Sequence, residues 1–170
     1  MLKRKLKKSF FLLCLFSITA CNEVEQSKVT NIPQDRSYEE NQNQQVIRKL
    51  NPPDFNKLLK ANKQKQLIDV RLASEIRGMG YIEGAKFIER NIYKINRFEK
   101  ELASLDKNTP IFLYCTKGKR SDEAQVFLEE LGYKEVYDLV GGLQAWKYDY
   151  KFPTINASPE LINSLVEKYK

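Results

Sequence analysis

The fold is decided by one stretch, Ile111-Phe112-Leu113-Tyr114-Cys115-Thr116-Lys117-Gly118-Lys119-Arg120-Ser121. Its first four residues are too apolar and too few for anything but a buried strand. The residues that follow are basic, contain a glycine and lead into a segment with apolar residues at helical spacing. The stretch therefore predicts a strand, a tight loop that begins at Cys115, and a helix that starts at Arg120 or Ser121 and ends at Leu131. Its apolar positions are Ala124, Val126, Phe127 and Leu131.

The same pattern of short apolar runs between helical segments extends to both sides. Buried strands are predicted at residues 66–70 and 136–140, with a further short strand at 85–88. Helices are predicted after Asn51, around Phe98 and Leu102, and from Ser158 to the end of the chain. Residues 73–84 are predicted to form a loop. This alternation indicates an α/β fold with a central, mostly parallel sheet of about five short strands and helices on both faces, so ligands are expected at the carboxyl ends of the strands.

The loop after Cys115 has the features of an anion cradle. Backbone N–H groups of a loop between a strand and a helix point inward, and the helix amino terminus adds partial positive charge. Lys117, Lys119 and Arg120 place full charges close by. A thiol in such a field is stabilised as the thiolate, which is the nucleophilic form. The competing interpretation is that Cys115 is only a buried strand residue and that the basic side chains only face solvent.

Composition excludes several other kinds of site. The chain contains no histidine, so the triads of serine hydrolases and cysteine proteases and histidine-based metal sites are excluded. Of the three cysteines, Cys14 and Cys21 lie in the amino-terminal segment, which leaves Cys115 as the one free thiol of the folded part. No metal and no cofactor are expected.

Four stretches, in order along the chain, resemble the signatures of the rhodanese family, and the resemblance covers roughly residues 53–150. They are Leu67-Ile68-Asp69-Val70-Arg71 with Glu75, then Ile82-Glu83-Gly84-Ala85, then Tyr114 to Ser121, and finally Val140-Gly141-Gly142-Leu143-Gln144-Ala145-Trp146. The resemblance implies a three-layer rhodanese-like fold. It implies that Cys115 takes a sulfane sulfur from a small anion such as thiosulfate, holds it as a persulfide, and passes it to a thiol or cyanide. Thr116, Lys117, Gly118, Lys119, Arg120 and Ser121 would form the substrate-binding loop.

Loop length separates this prediction from its nearest enzymatic rivals. Six residues run from Cys115 to Arg120, as in sulfurtransferases, whereas the related phosphatases and arsenate reductases use a loop one residue longer. A membrane-tethered binding module without catalysis is the main alternative. One position departs from the family pattern, because Tyr81 stands where a histidine is common, and the segment after Glu75 is one residue longer.

Asp69 and Arg71 are predicted to support the site, because a charged pair directly after a buried strand usually holds a loop together. Gly141, Gly142 and Trp146 are likewise predicted to serve the turn and the core.

The amino terminus has the pattern of an export signal. Five of the basic residues lie in the first eight positions, and an apolar run from Phe10 to Phe16 follows them. Ile18-Thr19-Ala20-Cys21 resembles the bacterial lipobox, which implies lipidation of Cys21. The predicted organisation is a lipoprotein signal peptide at 1–20, a flexible tether at 21–47, a rhodanese-like domain at 48–153 and a carboxyl-terminal helix at 154–170.

The charge of the chain agrees with this division. Without residues 1–20, which contain no acidic residue, the net charge falls from +7 to +2. A chain so close to neutral gives no reason to expect nucleic-acid binding. We expect an exported monomer that is held on a bacterial membrane, at its periplasmic or outer face, by the lipid on Cys21.

Overall fold

A computed structural model describes residues 44–170. The predicted signal peptide, Cys21 and nearly all of the predicted tether lie outside the described residues. None of the helices in this part of the chain is long and apolar enough to cross a membrane.

Strands and helices alternate along the described chain. The elements are β1 (Val46–Leu50), α1 (Pro52–Ala61), β2 (Gln66–Asp69), α2 (Ala73–Met79), β3 (Lys86–Phe87), a 3-10 turn (Ile92–Lys94), α3 (Ile95–Ala103), β4 (Ile111–Tyr114), α4 (Lys119–Glu130), β5 (Glu135–Leu139), α5 (Gly142–Gln144), a π turn (Ala145–Asp149) and α6 (Pro159–Lys168).

The five strands form one parallel sheet in the order β1-β5-β4-β2-β3. The predicted α/β class with a parallel sheet is therefore confirmed. The strand that ends at Tyr114 lies in the centre, so the loop that starts at Cys115 leaves the sheet at its middle. In a parallel sheet all carboxyl ends meet at one edge, and this edge is where side chains from several strands can converge.

Alternation along the strands produces one core on each face of the sheet. On one face Leu113 and Val136 pack against Leu128 of α4 and Leu102 of α3. On the other face, side chains from the same strands pack against α1, α5 and the π turn. These are Phe112, Tyr114, Tyr137 and Leu139 against Phe55, Leu59, Leu143 and Trp146. The sheet is covered on both sides, as its almost fully apolar strands predict.

Residues 73–84 were predicted as a loop, and that prediction is wrong, because Ala73–Met79 form α2. The helix is short and contains Gly78, a poor helix former, so its period is hard to see in the sequence. Two features stabilise it. The Glu75 carboxylate accepts the backbone N–H of Leu72 at 3.1 Å, which caps the first turn. Ile76 packs in a small cluster with Ile162 and Leu165 of α6, so the carboxyl-terminal helix lies directly on α2.

The sheet also begins earlier than the predicted boundary at residue 48. Val46 and Ile47 belong to β1, which within residues 44–170 is an edge strand that pairs with β5 alone. Its two adjacent exposed residues, Arg48 and Lys49, make it resemble the polar segment before it. An edge strand needs only one apolar face, so its signal in the sequence is weak.

One apolar position predicted for α4 is not buried. Val126 is 50% exposed, whereas Ser121 and Gln125 of the same helix are buried. The helix therefore turns a partly polar face toward the sheet, and this face lies below the Cys115 loop.

Candidate active site

The Cys115 loop, residues 115–118, connects the end of β4 to the start of α4. Cys115 is only 2% exposed, and its Sγ accepts the backbone N–H of Gly118 at 3.1 Å. Gly118 has a φ of +100°, a conformation that a residue with a side chain rarely adopts. The thiol therefore lies at the amino terminus of a twelve-residue helix, where partial positive charge favours an anion.

Backbone hydrogen bonds from α5 hold the loop in place. The N–H of Leu143 donates to the carbonyl of Cys115 at 2.8 Å, and the N–H of Gln144 donates to the carbonyl of Thr116 at 3.0 Å. A Cβ on Gly142 would lie 2.5 Å from the Cys115 carbonyl oxygen, so only glycine permits this approach. With its carbonyls engaged on one side, the loop is free to present N–H groups on the other. The predicted turn role of Gly142 is thus a role in supporting the loop itself.

The Glu75 carboxylate of α2 binds Thr116 in the loop and Arg120 directly after it. Both guanidinium ends of Arg120 donate to Glu75, at 2.6 Å and 2.5 Å, and the Thr116 hydroxyl donates to the same carboxylate at 2.5 Å. Burial raises the pKa of Glu75, but these hydrogen bonds outweigh it and hold the pKa at about 2. Glu75 is therefore ionised at neutral pH, and Arg120 is directed at this partner.

The two lysines of the loop behave differently from Arg120. Lys117 and Lys119 are exposed, and neither forms an ion pair within residues 44–170. Their charges are available to a small anion that approaches the loop. The structure thus brings all the loop residues together around Cys115 but divides their roles, with Arg120 and Thr116 fixing the loop and the lysines facing solvent.

The predicted supporting pair lies to one side of the loop. Arg71 donates to both carboxylate oxygens of Asp69, with Nη2 to Oδ2 at 2.6 Å, and it also donates to the carbonyl of Gly80 at 2.6 Å. Both side chains are fully buried, and the guanidinium carbon lies 5.7 Å from the centre of the Tyr114 ring. The pair ties the end of β2 to the segment after α2 and so holds the helix that carries Glu75.

Ser121, the last residue of the predicted site, lies under the loop. Its hydroxyl is buried and donates to the carbonyl of Gly118 at 3.0 Å. Asp138 of β5 lines a cleft beside the loop, together with Gly118 and Lys119. Burial raises the pKa of the Asp138 carboxyl group from 3.8 to about 7.

Two of these acidic groups were not predicted to be parts of the site. Glu75 stood in a recognised motif, but its link to Arg120 spans 45 residues of sequence and depends on a helix that the sequence did not reveal. Asp138 lies inside an apolar strand, and a lone acidic residue in such a strand is the signal that could have identified it. Tyr81, which stands at the common histidine position, packs its ring against Phe87 at 5.2 Å between centroids.

Comparison with known proteins gives relatives of more than one activity. A tRNA uridine(34) hydroxylase of Pelagibacter ubique is 34% identical over 94 residues, which are 55% of this chain and 30% of that protein. The thiosulfate sulfurtransferase GlpE of Coxiella burnetii is 42% identical over 53 residues, 31% of this chain and 48% of that protein. The chain spans less than two thirds of the length of these curated relatives.

A solved structure resembles the described domain. The polysulfide-sulfur transferase homodimer of Wolinella succinogenes superposes with a TM-score of 0.52 and 29% identity, and the match covers 68% of this chain and 81% of that one. The family model for rhodanese-like domains matches residues 51–149. This range is more than half of the chain and contains all of the elements that build the site. The chain therefore belongs to the family of rhodanese-like domains.

Proposed function

We propose that this protein is a sulfurtransferase that carries sulfane sulfur on Cys115. In the first half-reaction the Cys115 thiolate attacks the outer sulfur of thiosulfate, the S–S bond breaks, and sulfite leaves with the bonding electron pair. In the second half-reaction a cyanide or thiolate acceptor attacks the outer sulfur of the persulfide. The Cys115 thiolate then leaves with its electron pair, and the enzyme returns to its first state.

The observation that carries the proposal is the contact between the Gly118 N–H and Sγ at the start of α4. A backbone donor that is fixed by a left-handed glycine needs no reorganisation when negative charge develops on sulfur. The α5 backbone and the Glu75–Arg120 ion pair hold the loop in this shape before substrate binds. Exposed Lys117 and Lys119 would attract an anionic donor and favour the departure of sulfite.

Two relatives support sulfur transfer by name, a thiosulfate sulfurtransferase and a polysulfide-sulfur transferase. The match to the tRNA uridine(34) hydroxylase covers only 30% of that protein. Sulfur transfer is therefore the activity we assign to the domain, with thiosulfate as the donor for the first tests.

The function is tested by steady-state transfer from thiosulfate to cyanide. The full chain with Cys14→Ser and Cys21→Ser retains Cys115 as its single thiol. We expect parallel double-reciprocal lines, since the two half-reactions share no ternary complex. Cys115→Ser in the same background is the control and should have no turnover. Turnover that survives this substitution would overturn the proposal.

We also propose that the chain is exported and anchored by lipid on Cys21, as the lipobox-like stretch predicts. The test is metabolic labelling with a radioactive fatty acid in a bacterial host. We expect label and membrane fractionation in the natural sequence and neither in Cys21→Ser. Label that persists in the variant would refute the assignment of Cys21 as the lipidated residue.

A further inference from the structure

The carboxyl-terminal segment, residues 153–170, lies outside the match to the rhodanese-like family, which ends at residue 149. The segment contains α6 and supplies no side chain to the Cys115 loop. It nevertheless contacts α2 at two places, the end of the helix and the cluster around Ile76. Because α2 carries Glu75, which binds the loop, the segment bears on the site indirectly.

The first contact is a backbone pairing at the end of α2. The N–H of Tyr81 donates to the carbonyl of Ile155 at 2.9 Å, and the N–H of Ile155 donates to the carbonyl of Tyr81 at 2.8 Å. Gly80, the residue that caps the end of α2, has a φ of +71°. A Cβ on this glycine would lie 2.4 Å from the Ile155 carbonyl oxygen, so glycine permits the close approach of the two segments.

The second contact is made by α6. Ile162 and Leu165 are buried in one cluster with Ala73 and Ile76 of α2. A helix of seven residues such as α2 is not stable by its own hydrogen bonds, because helix formation has a costly nucleus. The position of α2 therefore depends on what it packs against, and α6 supplies part of that surface.

The far end of α6 is fixed to the rest of the domain. The Tyr169 hydroxyl donates to the carbonyl of Phe87 in β3 at 2.6 Å, and Lys94 Nζ donates to the Tyr169 carbonyl at 2.7 Å. Lys168 Nζ donates to Glu101 of α3 at 2.9 Å. These bonds hold α6 against β3 and α3, so α2 packs on a helix that is itself anchored.

We propose that α6 positions Glu75 for its bonds to the Cys115 loop, and that Ile162 and Leu165 are the positioning residues. Ile76 lies in the cluster with α6, and the adjacent Glu75 accepts the hydrogen bonds that fasten the loop. A movement of α2 toward space left in this cluster lengthens those bonds. The proposal deepens the proposed sulfur transfer and rests on it for its biological meaning, since it concerns the same loop.

The test is a carbon-13 NMR titration of the Glu75 carboxyl group in the full chain. In wild type the pKa of Glu75 is about 2, because Arg120 and Thr116 donate to it. We expect Leu165→Ala, which leaves a cavity next to Ile76, to weaken these bonds and raise the pKa of Glu75 to about 3. Leu165→Met, which conserves the volume of the side chain, should keep the wild-type value. Val166→Ala, at a half-exposed position of the same helix, is the matched control and should also keep it.

A second carboxyl group in the same titration separates a moved helix from a loss of folding. Hydrogen bonds from Thr109 and Asn108 lower the pKa of Asp106, which lies in the connection before β4. Unfolding would raise the pKa of both carboxyl groups, whereas a movement of α2 raises that of Glu75 alone. Ile162→Val removes a single methylene group and keeps the test decisive if Leu165→Ala does not fold.

The same Glu75 pKa in wild type and in the folded Ile162 and Leu165 variants would overturn the inference. A rise that is equally large in Val166→Ala would also overturn it, since the effect would not depend on the buried cluster. The titration needs no sulfur transfer. A protein in which Leu165→Ala raises the Glu75 pKa, but in which wild type has no turnover, would therefore refute the proposed function alone.

Discussion

Two carboxylates flank the Cys115 loop, and their environments are opposite. Glu75, on the α2 side, accepts three hydrogen bonds from Arg120 and Thr116, and its pKa is about 2. Asp138, on the β5 side, is 2% exposed, has an oxygen without a partner in the described residues, and its pKa is about 7. Asp138 is more deeply buried than Glu75, and of the two only Glu75 is paired with a cation within the described residues, so both burial and ion pairing separate their pKa values.

Because of this difference, the carboxylate on the α2 side of the loop has a fixed charge, and the carboxyl group on the β5 side has a charge that changes with pH. Across the range in which a sulfurtransferase would work, Glu75 stays ionised and Arg120 stays paired. Asp138 changes its charge within that range. The α2 side of the loop therefore carries a permanent charge that is paired with Arg120, the β5 side carries a titratable carboxyl group, and each can be removed separately.

The largest expected effect on stability follows removal of the titratable charge. The pKa of Asp138 is raised from 3.8 to about 7, so between these values the folded chain keeps a proton that the unfolded chain loses, and stability falls as the pH rises through this window. Asp138→Asn abolishes this loss. At pH 9 we expect the variant to be more stable than wild type by about 2–4 kcal/mol, and at pH 4 the two should be nearly equal.

Urea unfolding monitored by circular dichroism at both pH values measures this gain. Asp149→Asn, at an exposed position, is the matched control and should change stability by less than about 0.5 kcal/mol. Equal stability of wild type and Asp138→Asn at pH 9 would show that Asp138 is not held against ionisation.

Removal of the fixed charge should act in the opposite direction. The pKa of Glu75 is depressed from 4.5 to about 2, so its contribution is present above pH 4.5 and is lost as the pH falls toward 2. Because Glu75 and Arg120 keep 27% and 24% of their side chains exposed, we expect Glu75→Gln to lower the free energy of unfolding by about 2 kcal/mol at pH 7.

The loss should shrink as the pH is lowered toward 3, because below pH 4.5 the unfolded wild type binds a proton that folded Glu75, with its pKa of about 2, does not yet bind. Denaturant unfolding of Glu75→Gln at the two pH values measures it, with Glu130→Gln at an exposed position of α4 as the control. A deficit that is the same at pH 7 and pH 3 would contradict the assigned ion pair.

The smallest expected effect is that of Lys49 in β1 on the pKa of Asp138. Lys49 lowers the pKa of Asp138 and also pairs with Asp122, whose charge raises it. Lys49→Gln should therefore raise the Asp138 pKa by a few tenths of a unit, since the lysine is 54% exposed and its charge is screened by water. Carbon-13 NMR titration of the Asp138 carboxyl measures the change. Arg48→Gln, at the adjacent exposed position of the same strand, should leave the titration unchanged, and equal shifts in both variants would contradict a specific role of Lys49.

Local signals were enough to predict four of the five strands of the described chain and the central loop. The run from Ile111 to Tyr114 is apolar because it is buried on both faces, and the glycine and charges that follow it are local features of a strand–loop–helix connection. The helix that carries Glu75 was missed because it is short and is stabilised by α6, which lies far away in sequence. Long-range packing of this kind leaves almost no trace in a local pattern.

The ion-pair partner of Glu75 and the pKa of Asp138 also could not be predicted from local sequence patterns. The sequence places Glu75 in a motif but does not show that Arg120 is its partner, because the two residues meet only once the fold brings α2 to the loop. The pKa of Asp138 depends on burial and on neighbours from β1 and α4. The nucleophile could be predicted from its own loop, whereas the groups that set its surroundings required the fold.

The central claim, sulfur transfer through Cys115, is tested most directly by mass spectrometry of the intact protein after a single exposure to thiosulfate without acceptor. The full chain with Cys14→Ser and Cys21→Ser is the sample, so Cys115 is its only thiol. We expect the addition of one sulfur atom at Cys115, its removal by cyanide, and no addition in Cys115→Ser. A protein that remains unmodified, or that gains sulfur equally in the Cys115→Ser variant, would contradict it.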